Sequence, residues 1–177
     1  MFSKCLAPLL LAVFFAGTAQ AAEPLTTPIQ ATASVIPSCS ITKNRDAARL
    51  NYNPVGANAT QKVMSSGSQG ASFTVKCNRQ SGIKVSVGQG LHPSAGSTCE
   101  APLRNMETST GARLAYRLNS SLTDNGNFVL GCGANNMRAL DFSTSNTAGF
   151  GAIVVLDAGQ DVAVGDYSDT LLATVIF

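Results

Sequence analysis

The sequence predicts an all-β sandwich, and three observations carry that prediction. Only 12% of the 177 residues are charged and tryptophan is absent, so the Glu-, Lys- and Leu-rich segments of long helices are missing. Apolar residues recur at every second position in short runs bounded by Gly, Pro, Asn and Asp. Four cysteines follow an export leader, an even number that suits two disulfides in a secreted chain.

The leader is residues 1–21. Lys4 supplies its positive charge, Leu6 to Ala16 is an apolar run too short to span a bilayer, and Ala19-Gln20-Ala21 is a cleavage site. The mature chain therefore starts at Ala22, and Cys5 leaves with the leader. Loss of Lys4 brings the formal charge from +2 towards neutrality, which gives no electrostatic reason to bind nucleic acid and none for membrane insertion. Residues 22–38 form an N-terminal extension and residues 39–177 one domain, long enough for a core of its own.

The extension opens on the Pro- and Thr-rich AAEPLTTP. Ile29-Gln-Ala-Thr-Ala-Ser-Val35 then alternates, with Ile29, Ala31, Ala33 and Val35 on one face, as a half-buried strand does. Pro37 ends it. Cys39–Thr42 is a short extended piece, Lys43–Ala48 a polar loop, and Asn53-Pro-Val-Gly56 a turn. Ala57–Gly70, rich in Ser, Gly, Asn and Gln, reads as exposed. Ala71–Cys77 is a strand with Phe73, Val75 and Cys77 inward, and Ile83–Val87 a second with Ile83, Val85 and Val87 inward; a hairpin is expected between them. Gly88–Pro102 is a long loop. Arg104–Glu107 and Arg113–Leu118 are further strands around a Thr108–Gly111 turn. Asn119–Asn127 is a turn-prone run, and Phe128–Leu130 and Arg138–Phe142 are short apolar stretches. Gly149–Leu156 contains the run Ala152-Ile-Val-Val-Leu156, and Asp161–Val164 returns before the last strand.

Thr170–Phe177 is that last strand. Leu171, Ala173, Val175 and Phe177 share one face; Leu172, Thr174 and Ile176 share the other. With both faces nearly apolar, a strand inside a sandwich is expected rather than a solvated edge. No residue follows to lie beside it, which raises the question of what covers that place.

Four cysteines allow three pairings. Cys39–Cys77 with Cys99–Cys132 is favoured: the first ties the early chain to the end of a strong strand, the second closes a loop region. A metal site is not expected, because there is no C-x-x-C and the single histidine, His92, lies in a Gly/Pro/Ser-rich loop. Catalysis has no support either. His92 has no G-x-S-x-G partner. Asp157, Asp161, Asp166 and Asp169 sit at turn positions, where Asp bonds to backbone. Gly88-Gln-Gly90 and Gly131-Cys-Gly133 precede no helix that would make them phosphate loops. No cofactor is expected.

Several landmarks now assemble. Val35-Ile-Pro-Ser-Cys-Ser-Ile-Thr42, Asn51-Tyr-Asn-Pro54, Phe73-Thr-Val-Lys-Cys77, Arg104-Asn-Met106, Ala158-Gly-Gln160 and Gly165-Asp-Tyr-Ser-Asp-Thr170 resemble the spore coat protein U (SCPU) domain family, which is similar to the structural subunits of archaic chaperone–usher pili. The resemblance implies an incomplete immunoglobulin-like β-sandwich completed by a donor strand. It implies export through the periplasm on a periplasmic chaperone that holds the C-terminal carboxylate, assembly at an outer-membrane usher, and self-polymerisation of homologous subunits at the cell surface. Ile29, Ala31, Ala33 and Val35 would be the donor residues, and Leu171, Ala173, Val175 and Phe177 the acceptor groove and chaperone contact. Ile29–Val35 as the first strand of the chain's own sandwich is the alternative. In function, a minor or tip adhesin and a spore or cyst coat component stand beside a pilus subunit.

Overall fold

The computed structural model describes residues 30–66, 68–78, 81–120 and 128–177. The leader, Cys5, Ile29 and the run 121–127 lie outside the described residues. The chain divides into two units that part between Ser34 and Val35. Of the first, residues 30–34 form no strand and are exposed.

Nine strands are found among the described residues, all in the second unit: β1 Cys39–Arg45, β2 Val63–Met64, β3 Ala71–Cys77, β4 Lys84–Val87, β5 Arg104–Glu107, β6 Arg113–Ser120, β7 Arg138–Ala139, β8 Thr147–Leu156 and β9 Ala173–Ile176. A single 3-10 turn, Ala57–Ala59, is the only helical piece described. All strand pairings are antiparallel. The large sheet runs β1-β3-β8-β6-β5, with β2 continuing β3's side along the far end of β8; the small sheet runs β7-β4-β9.

Val75, Phe150 and Leu118 from the large sheet and Ile83, Val85 and Val87 around β4 belong to one buried core. Burying such aliphatic and aromatic side chains contributes about 1.5–3 kcal/mol each. With β1, β3, β8 and β6 as strands A, B, E and D, and β4 and β9 as C and F, the order is that of an immunoglobulin-like sandwich. The position beside F carries no strand among the described residues.

The structure alters several sequence expectations. Strands β3 and β4 are not a hairpin but lie in opposite sheets. Both have strongly apolar inner faces, which bury more surface facing each other across the core than side by side. Strand β1 runs on to Arg45, through part of the expected loop, because β3 supplies partners as far as Ser72 with an irregularity between Lys43 and Arg45. The Ala57–Gly70 stretch is not simply exposed. Val63 and Met64 pair with β8, and buried Ser65 accepts the Val154 N–H through Oγ at 3.0 Å while its own N–H donates to the Val154 carbonyl at 2.9 Å. Residues 30–38, most of the expected first strand and its Pro37 end, have no strand structure and are exposed, Val35 at 84%. Alternation makes a strand only where a neighbour takes its backbone groups. The structure has the Cys39–Cys77 and Cys99–Cys132 disulfides.

Candidate functional site

Among the described residues strand β9 is an edge strand, not an interior one. Ile176 to Ala173 pair with Lys84 to Val87, and the Gly88 N–H donates to the Leu172 carbonyl at 2.9 Å. In an antiparallel ladder alternate residues turn both backbone groups to the same neighbour. That bond therefore sets Leu172, Thr174 and Ile176 towards β4, and turns the N–H and C=O of Leu171, Ala173 and Val175 to the opposite edge. No strand pairs there among the described residues. The side chains of these three residues pack against the core, whereas Leu172 is 74% exposed.

A cleft of about 840 Å³ opens beside this edge. Its walls come from both sheets: Phe73, Leu118 and Val154 on one side, Val87, Leu171 and Ala173 on the other, with Leu50 and Tyr52 from the β1–β2 connection. Its rim is charged. Lys43 pairs with Asp46 at 2.8 Å, and Arg49 pairs with Asp166. Strand β1 also carries an exposed apolar residue, outside the cleft lining. Ile41 lies opposite Val75 in the register, yet Val75 is fully buried and Ile41 exposed.

A polar network stands in the segment leading into β9. Asp169 accepts the Tyr116 hydroxyl through Oδ2 at 2.6 Å, and the Leu91 and Thr170 N–H groups through Oδ1 at 2.8 Å each. Gly90 has φ +86°, and a Cβ there would fall 2.1 Å from Asp169 Oδ2, so this close approach requires glycine. Arg104, 1% exposed, donates to the Gly88 carbonyl through Nη2 at 2.7 Å and Nε at 3.0 Å, and to the Val87 carbonyl at 3.2 Å. Burial pulls its pKa down, with the charge of Asp169 acting the other way. Burial, then the bond to Asp169, pushes the Tyr116 pKa up.

The family model described as the Spore Coat Protein U domain matches residues 25–174. The chain belongs to that family. Protein U of Myxococcus xanthus is 32% identical over 155 residues, covering 82% of this chain and 80% of that protein. Among solved structures, the spore coat U chain is similar to the CsuC–CsuE chaperone–tip adhesion subunit pre-assembly complex from archaic chaperone–usher Csu pili of Acinetobacter baumannii. The TM-score is 0.48 and the identity 21%, over 81% of this chain and 40% of that one. It is also similar to the minor tip subunit HdaB of the E. coli Hda pilus, with TM-score 0.36 and 17% identity over 77% and 79% of the two chains.

In this spore coat U domain the four expected acceptor residues separate. Leu171 and Ala173 line the cleft. Val175 packs into the core below it, and Phe177 is 49% exposed and outside the lining. Of the expected donor residues, Ala31, Ala33 and Val35 are exposed and Ile29 lies outside the described residues. The aspartates are apart in role: Asp157 pairs with Arg117, Asp166 with Arg49, Asp161 is exposed, and Asp169 is the hub. His92 Nδ1 lies 3.4 Å from Glu107, which also takes Arg113 at 2.7 Å. Among the described residues no group of three or more His, Cys, Asp or Glu is placed to hold a metal. Sequence reasoning missed the cleft floor on β6 and β8 and the Asp169–Tyr116 bond. The first requires knowing which strands face each other. The second had one signal, the Asp169-Thr170 pair directly before an alternating strand.

Proposed function

We propose that the chain is an exported, non-catalytic subunit of a surface polymer, pilus or coat, joined to its neighbours by strand addition to β9. The single observation that carries this reading is the edge of β9 together with the cleft beside it. An unpaired row of backbone groups over apolar walls is a strand-addition site, where ladder bonds give affinity and alternate side chains give selectivity. The donor is the Ile29–Val35 segment of another subunit, with Ile29, Ala31, Ala33 and Val35 turned into the cleft. The exposure of residues 30–38 supports donation over use in the chain's own sheets. Before assembly a periplasmic chaperone covers the same edge, and an outer-membrane usher passes the subunit to the surface.

The Csu and Hda likenesses name tip subunits, and the family description names a coat. All these placements use the same joint. The test is deletion of residues 22–38. The shortened chain should bind a peptide of sequence 29–38 but form no polymer by electron microscopy or size exclusion. Fibres of normal length from the shortened chain would refute the donor assignment. Recovery of the intact chain from periplasm without a small bound chaperone, in stable monomeric form, would refute the strand-addition reading itself.

A further inference from the structure

The network around Asp169 does more than finish a turn. Tyr116 stands on β6 and Arg104 on β5, both in the large sheet; Val87, Gly88 and Leu91 belong to β4 and the loop behind it. Asp169 lies two residues before Leu171, the first residue whose backbone faces the open edge. The path Arg104 to Gly88 carbonyl, then Gly88 N–H to Leu172 carbonyl, fixes the other side of the same point. Polar bonds thus tie the two sheets together where the cleft lines both of them with Tyr116, Val87, Asp169 and Leu171.

We propose that Asp169 is a positioning residue for strand addition, which sets the start of β9 against Tyr116 and Leu91 so that the cleft walls stand at the spacing an added strand requires. This rests on the strand-addition reading above. Both carboxylate oxygens of Asp169 already have partners on this chain, so it acts through the placement of β9 rather than by bonding the incoming strand. Once a strand is seated, its own ladder bonds hold β9 in place. Asp169 therefore governs uptake far more than release.

The test measures both rates on the mature chain, freshly refolded at high dilution as monomer and mixed at once with a large excess of a fluorescent peptide of sequence 29–38. Asp169→Ala should slow uptake about tenfold, the loss expected for a charge-assisted hydrogen bond, and change release less than about twofold. Asp169→Asn, which keeps one carbonyl acceptor, should recover part of the rate. Tyr116→Phe should act in the same direction but more weakly, and Asp169→Ala with Tyr116→Phe should be no slower than Asp169→Ala alone, because the Tyr116–Asp169 bond that Tyr116→Phe removes is already lost in Asp169→Ala. Asp161→Asn should match the wild type. Unchanged uptake in Asp169→Ala, or release accelerated as much as uptake is slowed, would overturn the positioning role. A wild-type chain that takes up no peptide would instead overturn the strand-addition reading, and this role with it.

Discussion

Strands β8 and β9 have similar apolar composition and opposite situations. Strand β8 runs through the middle of the large sheet, with β3 and β2 on one side and β6 on the other, and Phe150 to Leu156 are all buried. Among the described residues strand β9 has β4 on one side only, and its residues alternate between half-buried and exposed. Hydrophobicity alone does not make a strand interior; a second neighbour does. The difference teaches that β9 has the apolar composition of an interior strand but, among the described residues, only half of an interior strand's partners.

Four experiments would break or sharpen this contrast. Phe150 packs on Phe73 with ring centroids 5.9 Å apart, so Phe150→Ala should cost about 3–5 kcal/mol in denaturant unfolding. A loss below about 1 kcal/mol would mean β8 is not the fixed side of the comparison. Proline separates the two edges of β9. Thr174→Pro removes an N–H that faces β4 and leaves its partner unbonded, at a cost of about 1–3 kcal/mol, whereas Ala173→Pro removes one that faces away. Ala173→Pro should keep most of the folded stability and lose binding of the 29–38 peptide; equal losses from both would show that β9 has no free side.

The third experiment uses alkali. The folded-state pKa of the Tyr116 hydroxyl is raised, by burial first and by the bond to Asp169 second. Its stabilisation is therefore complete below about pH 10, the ordinary tyrosine value, and is lost as pH rises above it. Unfolding midpoints should fall more steeply above about pH 10 in the wild type than in Tyr116→Phe. The smallest effect belongs to the outer face of β9, where Leu172→Ser should change stability by less than about 0.5 kcal/mol.

The fold class was legible because alternation is a local property. Phe73, Val75 and Cys77, or Leu114, Tyr116 and Leu118, mark their strands without any knowledge of partners. Which strands pair was not legible. Nothing in Ile83-Lys-Val-Ser-Val87 tells a hairpin partner of β3 from a strand of the opposite sheet. The pattern of Leu171 to Ile176 is by itself that of a strand covered on both sides, and an open place beside it was legible only from the lack of a following strand and from the spore coat U resemblance. The candidate site was legible in its Leu171 and Ala173 portion. Its remaining walls, Leu50, Tyr52, Leu118 and Val154, come together only through topology.

The Cys39–Cys77 bridge has a mechanical consequence. It sits at the first residue of β1, immediately behind residues 30–38, and joins that point to the end of β3. If the segment ahead of it bears tension, the load passes through a covalent link into a strand flanked by β1 and β8, and β1 is spared from peeling away at its exposed margin. Reduction of this bond would then shorten the lifetime of a stretched assembly more than that of one at rest.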